Sequence, residues 1–454
     1  MKRPELLAPA GTLKSMRHAF AYGADAVYAG QPRYSLRARN NEFNHANLRQ
    51  GIQEAHALGK QFFVAVNIFP HNSKLRTFIK DMQVVIDMQP DALIMSDPGL
   101  IMLVREHWPE MPVHLSVQAN TVNYAAVKFW ESLGLTRVIL SRELSLDEIA
   151  QIRQQCPDME LEVFVHGALC IAYSGRCLLS GYFNRRDPNQ GTCTNACRWE
   201  YKTSAAVEAP EGKYVPQEAI LPLDALKAEP ENSVSGCGEQ QRHPLADQVY
   251  FLEEAQRPGE LMPVFEDEHG TYIMNSKDLR AVEHVQRLTE IGVDCLKIEG
   301  RTKSHYYVAR TAQTYRQAID DTLAGREFNP KLLGVLENLA NRGYTDGFYQ
   351  RHHSHEYQNY IQGASKSHQQ QFVAEAFNVD RDNGWVEVEV KNRFVVGDRL
   401  EFVLPEGNCE MVLERMETLQ GESVEVAPGS GHKMRIPLPE GVQGEMMLIS
   451  RFLD

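Results

Sequence analysis

"ELLAPAGTLKSMRHAFAYGADAVYAG", residues 5–30, holds two short apolar runs on either side of a longer stretch whose apolar residues recur at helical spacing. ELLAPA (5–10) and AVYAG (26–30) have the length of buried strands, and TLKSMRHAFAYG between them has the period of an amphipathic helix closed by Gly23. Strand, helix and strand in that order predict a parallel βαβ unit. The alternation continues through QFFVAVNIF (61–69), ALIMSD (92–97), VHLSVQAN (113–120), RVILSREL (137–144) and LEVFVHG (161–167), each preceded by a helical stretch, and resumes after an interruption with CLKIEGR (295–301). Eight such strands predict an α/β chain with a closed (β/α)8 TIM-barrel-like domain over residues 1–350. An open doubly wound sheet is the alternative, but no G-x-G-x-x-G phosphate turn follows the first strand.

The rest of the chain has a different texture. Between about 203 and 250 the composition turns to Pro, Glu, Ser and Gly, as in AEPENSVSGCGEQQ (228–241), and predicts an irregular insertion in the barrel. Residues 351–367 read as a linker. From about 368 the pattern has period two in FVAEAFNV, WVEVEV, RLEFVLP, EMVLERM, SVEVAP and MMLISRF, divided by DNG, PEGN, QGE and PGSG turns. That predicts a small antiparallel β-barrel over 368–454.

Composition narrows the function classes. The chain has 454 residues, 43% of them hydrophobic and 24% charged, the profile of a soluble globular protein. Its net charge of −13 argues against non-specific coating of nucleic acid, though not against a local basic groove. MKRPELLAPAG lacks the apolar run of a signal peptide, and no run reaches the 18 or so apolar residues of a membrane span. A cytoplasmic location without membrane partners is expected. Thiols stay reduced there, so clustered cysteines favour metal or redox chemistry over disulfides.

Half of the eight cysteines are clustered. Cys170, Cys177, Cys193 and Cys197 follow C-x6-C-x15-C-x3-C, within a loop expected over 165–200. Structural zinc favours paired two-to-four-residue knuckles, and only the last pair here is knuckle-like. Iron–sulfur clusters accept more varied spacing of their thiolates. Gly167, Gly175, Gly181 and Gly191 leave room for tight backbone round such a centre. Zinc, or four buried unliganded thiols, are the competing interpretations. Cys156, Cys295 and Cys409 sit in strand or helix-end contexts and read as packing residues, while Cys237 lies in the insertion.

Barrel enzymes build their sites at the carboxyl ends of the strands. There the sequence offers Asn67; Gln118 and Asn120; Arg142 and Glu143; His166; and Lys297, Glu299 and Arg301. Arginines can clamp carboxylates bidentately, and a histidine can move protons near neutrality. Arg33, Arg37, Arg39, Arg185, Arg186, Arg198, Arg301 and Lys303 would give local positive charge for phosphates. Tyr28, Tyr34, Tyr173, Tyr182 and Phe183 would offer faces on which an unpaired base could stack. The bland counterpart is a set of ordinary loop caps and ion pairs.

EVFVHGALCIAYSGRCLLS, Glu162 to Ser180, resembles the signature of the collagenase-like peptidase family of unassigned catalytic type. The similarity extends through LLAPAG, YSLRAR (34–39), EEAQRPGE (253–260), GTYIMNSKDL (270–279), LKIEGRTKS (296–304) and RGYTDGF (342–348). That family includes iron–sulfur hydroxylases of RNA and of ubiquinone precursors, and within it the chain is most similar to prephenate-dependent tRNA uridine hydroxylases. The resemblance implies a 4Fe-4S cluster on Cys170, Cys177, Cys193 and Cys197. It also implies hydroxylation of wobble uridine to 5-hydroxyuridine, with prephenate as co-substrate and the tRNA anticodon loop and an electron donor as partners. On that basis Arg142 and Arg301 are candidates to grip the prephenate carboxylates, His166 and Glu143 to handle protons, and Glu299 is a further catalytic candidate whose bland reading is a salt bridge with Arg301. Asn67, Gln118, Asn120, Arg37, Arg39, Tyr173 and Lys303 are candidates for substrate contact. A hydroxylase of another RNA or of a small-molecule precursor, a non-enzymatic RNA scaffold, and a protease are the alternatives. Against proteolysis, the chain has neither G-x-S-x-G nor H-E-x-x-H, and a thiolate bound to iron cannot attack a peptide.

Overall fold

A computed structural model describes residues 1–36, 42–169, 278–341, 343–350, 370–442, 444 and 446–453, together with the backbone of the strands between 201 and 271. Eight parallel strands form the barrel: β1 (Glu5–Pro9), β2 (Ala26–Gly30), β3 (Gln61–Val66), β4 (Ala92–Met95), β5 (Val113–Leu115), β6 (Arg137–Ile139), β7 (Glu160–Ala168) and β8 (Cys295–Ile298). Each pairs with the next, and β8 closes the ring by pairing with both β7 and β1. The helices between them are α1 (Leu13–Ala21), α2 (His45–Ala57), α3 (Asn72–Ile86), α4 (Pro98–His107), α5 (Tyr124–Ser132), α6 (Leu146–Gln155) and α7 (Val285–Ile291); α8 (His305–Leu323) follows β8, and α9 (Lys331–Glu337) follows α8. The expected (β/α)8 barrel is present, with all eight strands where the apolar runs place them.

Local chemistry explains the helix starts. Thr12, Asn44, Asp97, Asn123 and Ser304 each accept a hydrogen bond from a backbone N–H of the first turn, and Ser145 and Glu148 form a reciprocal capping box at α6. The strands are almost wholly buried because helices cover one face and the packed lumen the other. Where the sequence extends the fifth strand to Asn120, the structure ends it at Leu115 and continues as a short 3-10 turn, Val117–Ala119.

The interruption after β7 is more regular than its composition predicts. Tyr201–Glu208, Tyr214–Pro216, Val249–Glu254 and Leu261–Val264 form a four-stranded antiparallel sheet. The chain then returns to the strand it left. Asp278–Arg280 pairs antiparallel with β7, with Asp278 opposite Ala168, and Tyr344–Thr345 pairs outside it.

Residues 370–453 form an antiparallel sheet that curls into a half-barrel. Its strands are β9 (Gln370–Asp380), β10 (Trp385–Val390), β11 (Arg399–Val403), β12 (Cys409–Val412), β13 (Glu417–Thr418), β14 (Lys433–Pro437) and β15 (Leu448–Phe452). The order is β12-β11-β15-β9-β10-β14-β13, and no ladder joins the two outer strands among the described residues. This sheet has its own apolar core but is also bound firmly to the barrel. The Tyr22 hydroxyl lies 2.8 Å from the carbonyls of both Val403 and Met446. Arg310 of α8 forms a two-pronged pair with Glu401 at 3.3 and 3.0 Å, and the Tyr306 and Phe372 rings stack. Val403 and Leu448 belong to the barrel's apolar cluster. No helix among the described residues is long and apolar enough to cross a membrane.

Candidate functional site

The barrel lumen is built in layers. At its amino end Arg137 reaches Glu5 at 2.7 Å, Glu160 at 2.9 Å and Glu162 at 3.3 Å. Lys297 reaches Glu162 at 2.7 Å, and neither side chain touches solvent appreciably. Burying Arg137, Glu162 and Lys297 is tolerable only because each is paired. Cys295 sits beside this network with its thiol pushed up by burial and by Glu162 and Glu5. It is a neutral packing residue, as its strand context predicts.

Above this plug lies an aromatic layer. The Lys297 ammonium is 4.3 Å from the centroid of the Tyr28 ring and 5.4 Å from that of Phe164. On the mouth side of those rings the Arg142 guanidinium stands 3.8 Å from the Phe164 centroid, and that of Arg301 stands 5.6 Å from the Tyr28 centroid. Arg301 also donates to Ser35 Oγ at 2.8 Å. The Tyr28 hydroxyl is 3.1 Å from Glu299 Oε2 and 3.0 Å from the Ile298 carbonyl. Arg142, Arg301 and Glu299 therefore share one mouth over a common aromatic floor. A planar cation against a ring, as Arg142 is, leaves its N–H edges for a carboxylate or phosphate. Glu143 is next to Arg142, and its Oε2 is buried with no hydrogen-bond partner among the described residues.

His166 is not part of that mouth. Phe164 pairs with Lys297 and His166 with Ile298, so Val165 is an extra residue, a bulge in β7. Without it His166 would share Phe164's lumenal face. Instead its ring packs among Tyr307, Tyr315 and Tyr344 on the outer side of the strand, with centroids 5.8, 5.5 and 5.4 Å away. The bulge is fastened through its carbonyl: Val165 O accepts from Tyr315 Oη at 2.6 Å and from Ala281 N at 2.9 Å. With its proton committed to Val165 O, the Tyr315 oxygen accepts from His166 Nδ1 at 3.3 Å. That leaves Nε2 as a buried lone pair with no partner among the described residues. Burial drives the imidazole's pKa down to about 3, so His166 is neutral near pH 7. The expectation that it moves protons beside Arg142 and Glu143 meets this obstacle. Sequence period could not reveal the bulge.

Other candidates carry structural duties. Asn67 accepts from Leu36 N and donates to Ser116 Oγ at 3.5 Å, linking the loops after β2, β3 and β5. Asn120 adopts a left-handed conformation with φ +52° and accepts from Ser141 Oγ at 2.7 Å. Gln118 lies half-buried in the same turn. The Lys303 ammonium is 5.4 Å from the Tyr307 centroid, on the same side as His166. Tyr34 is fully buried with its hydroxyl on Asp81 at 2.7 Å, and Arg33 pairs with the same carboxylate. Tyr34 and the buried Tyr28 are therefore not free platforms for a base, which corrects the expectation for both. Arg37, Arg39, Tyr173 and the four clustered cysteines lie outside the described residues, as do Tyr182, Phe183, Arg185, Arg186, Arg198 and Cys237.

Glu162, Arg137 and Ser35 were missed as parts of the lumen. The signal was present for the first two, since a charge inside an apolar strand (RVI, LEVFV) marks a side chain whose partner must also be internal.

Gly167, with φ +101°, follows the bulge; a Cβ there would sit 2.4 Å from the Glu299 carbonyl oxygen. Only glycine lets the ends of β7 and β8 approach this closely. β7 ends at Ala168, two residues before Cys170, and the next described strand begins at Tyr201, four residues after Cys197. Thiols are the ligands iron–sulfur clusters use, so the donor chemistry of residues 170–197 fits such a centre.

Profiles of known families match most of the chain: Peptidase family U32 over residues 11–359 and the Peptidase family U32 C-terminal domain over 368–449. The tRNA hydroxylation protein P of Escherichia coli (strain K12) is 63% identical over 451 residues, 99% of this chain and 97% of that protein. Its namesake from Haemophilus influenzae is 61% identical, covering 99% and 96%. A solved structure of a U32 peptidase aligns over 66% of this chain and 93% of its own, with 12% identity and a TM-score of 0.36.

Proposed function

The chain belongs to peptidase family U32, and from that membership we propose that it is an enzyme that hydroxylates tRNA. What carries the proposal is near-identity of length and 63% identity with a protein named for tRNA hydroxylation. The lumen supports it: Arg142 and Arg301 over Phe164 and Tyr28 make a cationic, aromatic-floored mouth suited to a small anionic co-substrate. Nothing comparable among the described residues suits peptide hydrolysis. The Cys295 thiol is buried and held protonated, and among the described residues His166 has tyrosine rings, not a thiol or serine, beside it.

In finer detail, the proposed substrate is the wobble uridine of the anticodon loop, converted to 5-hydroxyuridine, with prephenate as co-substrate. Cys170, Cys177, Cys193 and Cys197 would hold a 4Fe-4S cluster, which when bound supplies one-electron transfer at the barrel mouth. The residues of the mouth do the rest. Arg142, above the Phe164 ring, and Arg301, above the Tyr28 ring, hold the two carboxylates of the co-substrate. Glu143 and Glu299 would take or return a proton; the buried, unpartnered Glu143 Oε2 and the Tyr28 contact of Glu299 support that reading. An anticodon base is unpaired and enters such a mouth without breaking a duplex. His166 acts as a neutral support under the segment leading to Cys170.

The test is nucleoside mass spectrometry of tRNA from a strain lacking the gene, complemented with wild type or with Cys177→Ser. Hydroxylated uridine is expected with wild type only. Restoration by the variant would separate the cysteine set from the chemistry, and failure of wild type itself would remove tRNA as the substrate.

A further inference from the structure

A cluster of chemistry-bearing residues lies far in the sequence from the barrel mouth, where the half-barrel meets the barrel helices. His18 of α1, His305 at the start of α8 and Glu375 of β9 each direct one donor atom into a common space, all within 4.8 Å of one another. His18 Nε2 is 3.9 Å from Glu375 Oε1, and His305 Nε2 is 3.3 Å from Glu375 Oε2. A tetrahedral zinc ion with bonds of about 2.0–2.1 Å separates its donors by roughly 3.3 Å, and the two histidine–carboxylate separations of 3.3 and 3.9 Å, each to a different oxygen of Glu375, stand at or just beyond that.

The orientation of the donors fits the same purpose. His18 Nδ1 lies 2.9 Å from the Lys14 carbonyl, which requires Nδ1 to carry the proton and leaves the Nε2 lone pair facing Glu375. That backbone contact is the arrangement by which metal-bound histidines are usually fixed. His305 Nε2 is buried, has no hydrogen-bond partner among the described residues, and lies 3.3 Å from Glu375 Oε2. The side chains are only 5%, 16% and 12% exposed, and the Phe372 ring lies edge-on to His305 with centroids 5.8 Å apart.

Two ammonium groups flank the carboxylate. Lys391 is 3.7 Å from Glu375 but held by Glu389 at 2.8 Å, so it does not compete directly. Lys14 does compete, at 2.5 Å from Glu375 Oε2, yet its side chain is 45% exposed and can swing into water.

We propose that His18, His305 and Glu375 form a binding site for a divalent ion of the zinc type, with water as fourth ligand, that pins the C-terminal half-barrel to the barrel. Two imidazoles and one carboxylate suit zinc or cobalt(II) rather than calcium or magnesium, which take oxygen ligands. The three ligands come from both folding units, so an ion here ties them together without belonging to the cysteine site. The proposal is independent of tRNA chemistry.

Cobalt(II) titration of the full-length protein, followed by visible absorption, tests it. Wild type should bind one equivalent with the weak d–d bands of nitrogen and oxygen ligands, free of thiolate charge transfer. His18→Ala, His305→Ala and Glu375→Gln should each weaken that equivalent at least tenfold, while Cys177→Ser retains it. Because those residues also help hold the interface, Lys14→Ala serves as the folded control: loss of the competing ammonium should tighten binding severalfold. Unchanged cobalt affinity in any of the three ligand variants, or no tightening in Lys14→Ala, overturns the proposal.

Discussion

His166 shows how far one side chain can depart from what its neighbours in sequence suggest. HGALC after an apolar strand looks like a catalytic histidine beside a reactive centre, yet one additional backbone residue at Val165 turns the imidazole away from the lumen. Its titration has a clear consequence. The folded state holds the imidazole neutral down to a pKa of about 3, whereas the unfolded chain protonates it near 6.5. Between those values the unfolded state binds the extra proton, so stability falls as pH falls. One such histidine should cost about 2 kcal/mol between pH 7 and pH 5. His18, lowered to about 4, acts in the same direction. Thermal unfolding of wild type should therefore shift downward on acidification, and His166→Gln should show a shallower slope. An identical slope in the variant would mean that His166 is hydrated and ordinary.

Strands and helices were the most legible part of this chain. The eight apolar runs specify strands because a parallel barrel buries both faces, which writes a continuous apolar signal. Their carboxyl ends were less legible: V-H-L-S-V-Q-A-N keeps its alternation through a strand and then through a tight turn, and period alone does not separate the two. KMRIP, which becomes β14, escaped because its flanking charges mask a short edge-ward strand. The strands at 201–208 and 249–254 escaped because the polar stretch between them dominates the composition. Charges inside strands were the underused clue. Glu162 of β7 joins Lys297 of β8 and Arg137 of β6 across three adjacent strands. Glu162→Gln leaves the Lys297 ammonium against a neutral amide, and urea unfolding should show a loss of about 3–5 kcal/mol. A loss below 1 kcal/mol would mean that water reaches the lumen's lower layer.

The complete molecule reads as two folding units joined by a polar rivet and a shared apolar seam. The change of period near residue 368 is legible in the sequence, but the strength of this joint is not, because Arg310 and Glu401 lie far apart in the chain and pair only in three dimensions. Arg310 is 1% exposed, and Glu401 also accepts from Gln370 at 3.0 Å and Asn408 at 2.9 Å. Removing the guanidinium in Arg310→Ala leaves that carboxylate buried without a counter-charge, and should cost about 3–5 kcal/mol in chemical denaturation. The double variant Arg310→Met/Glu401→Gln, which removes the charge as well, should recover part of the loss. If the double variant is no better than the single, packing rather than charge holds the joint.

Strand β7 also serves as the hem of everything sewn between residues 169 and 277. Departure at Ala168 and return at Asp278 are stitched side by side on β7, so the barrel registers only a short staple, whatever its contents. Closure entropy grows with the logarithm of contour length, and doubling such an excursion adds only about 0.6 kcal/mol. This margin can lengthen, shorten or be recut without disturbing a single stave, and variation among kindred chains has its cheapest outlet there.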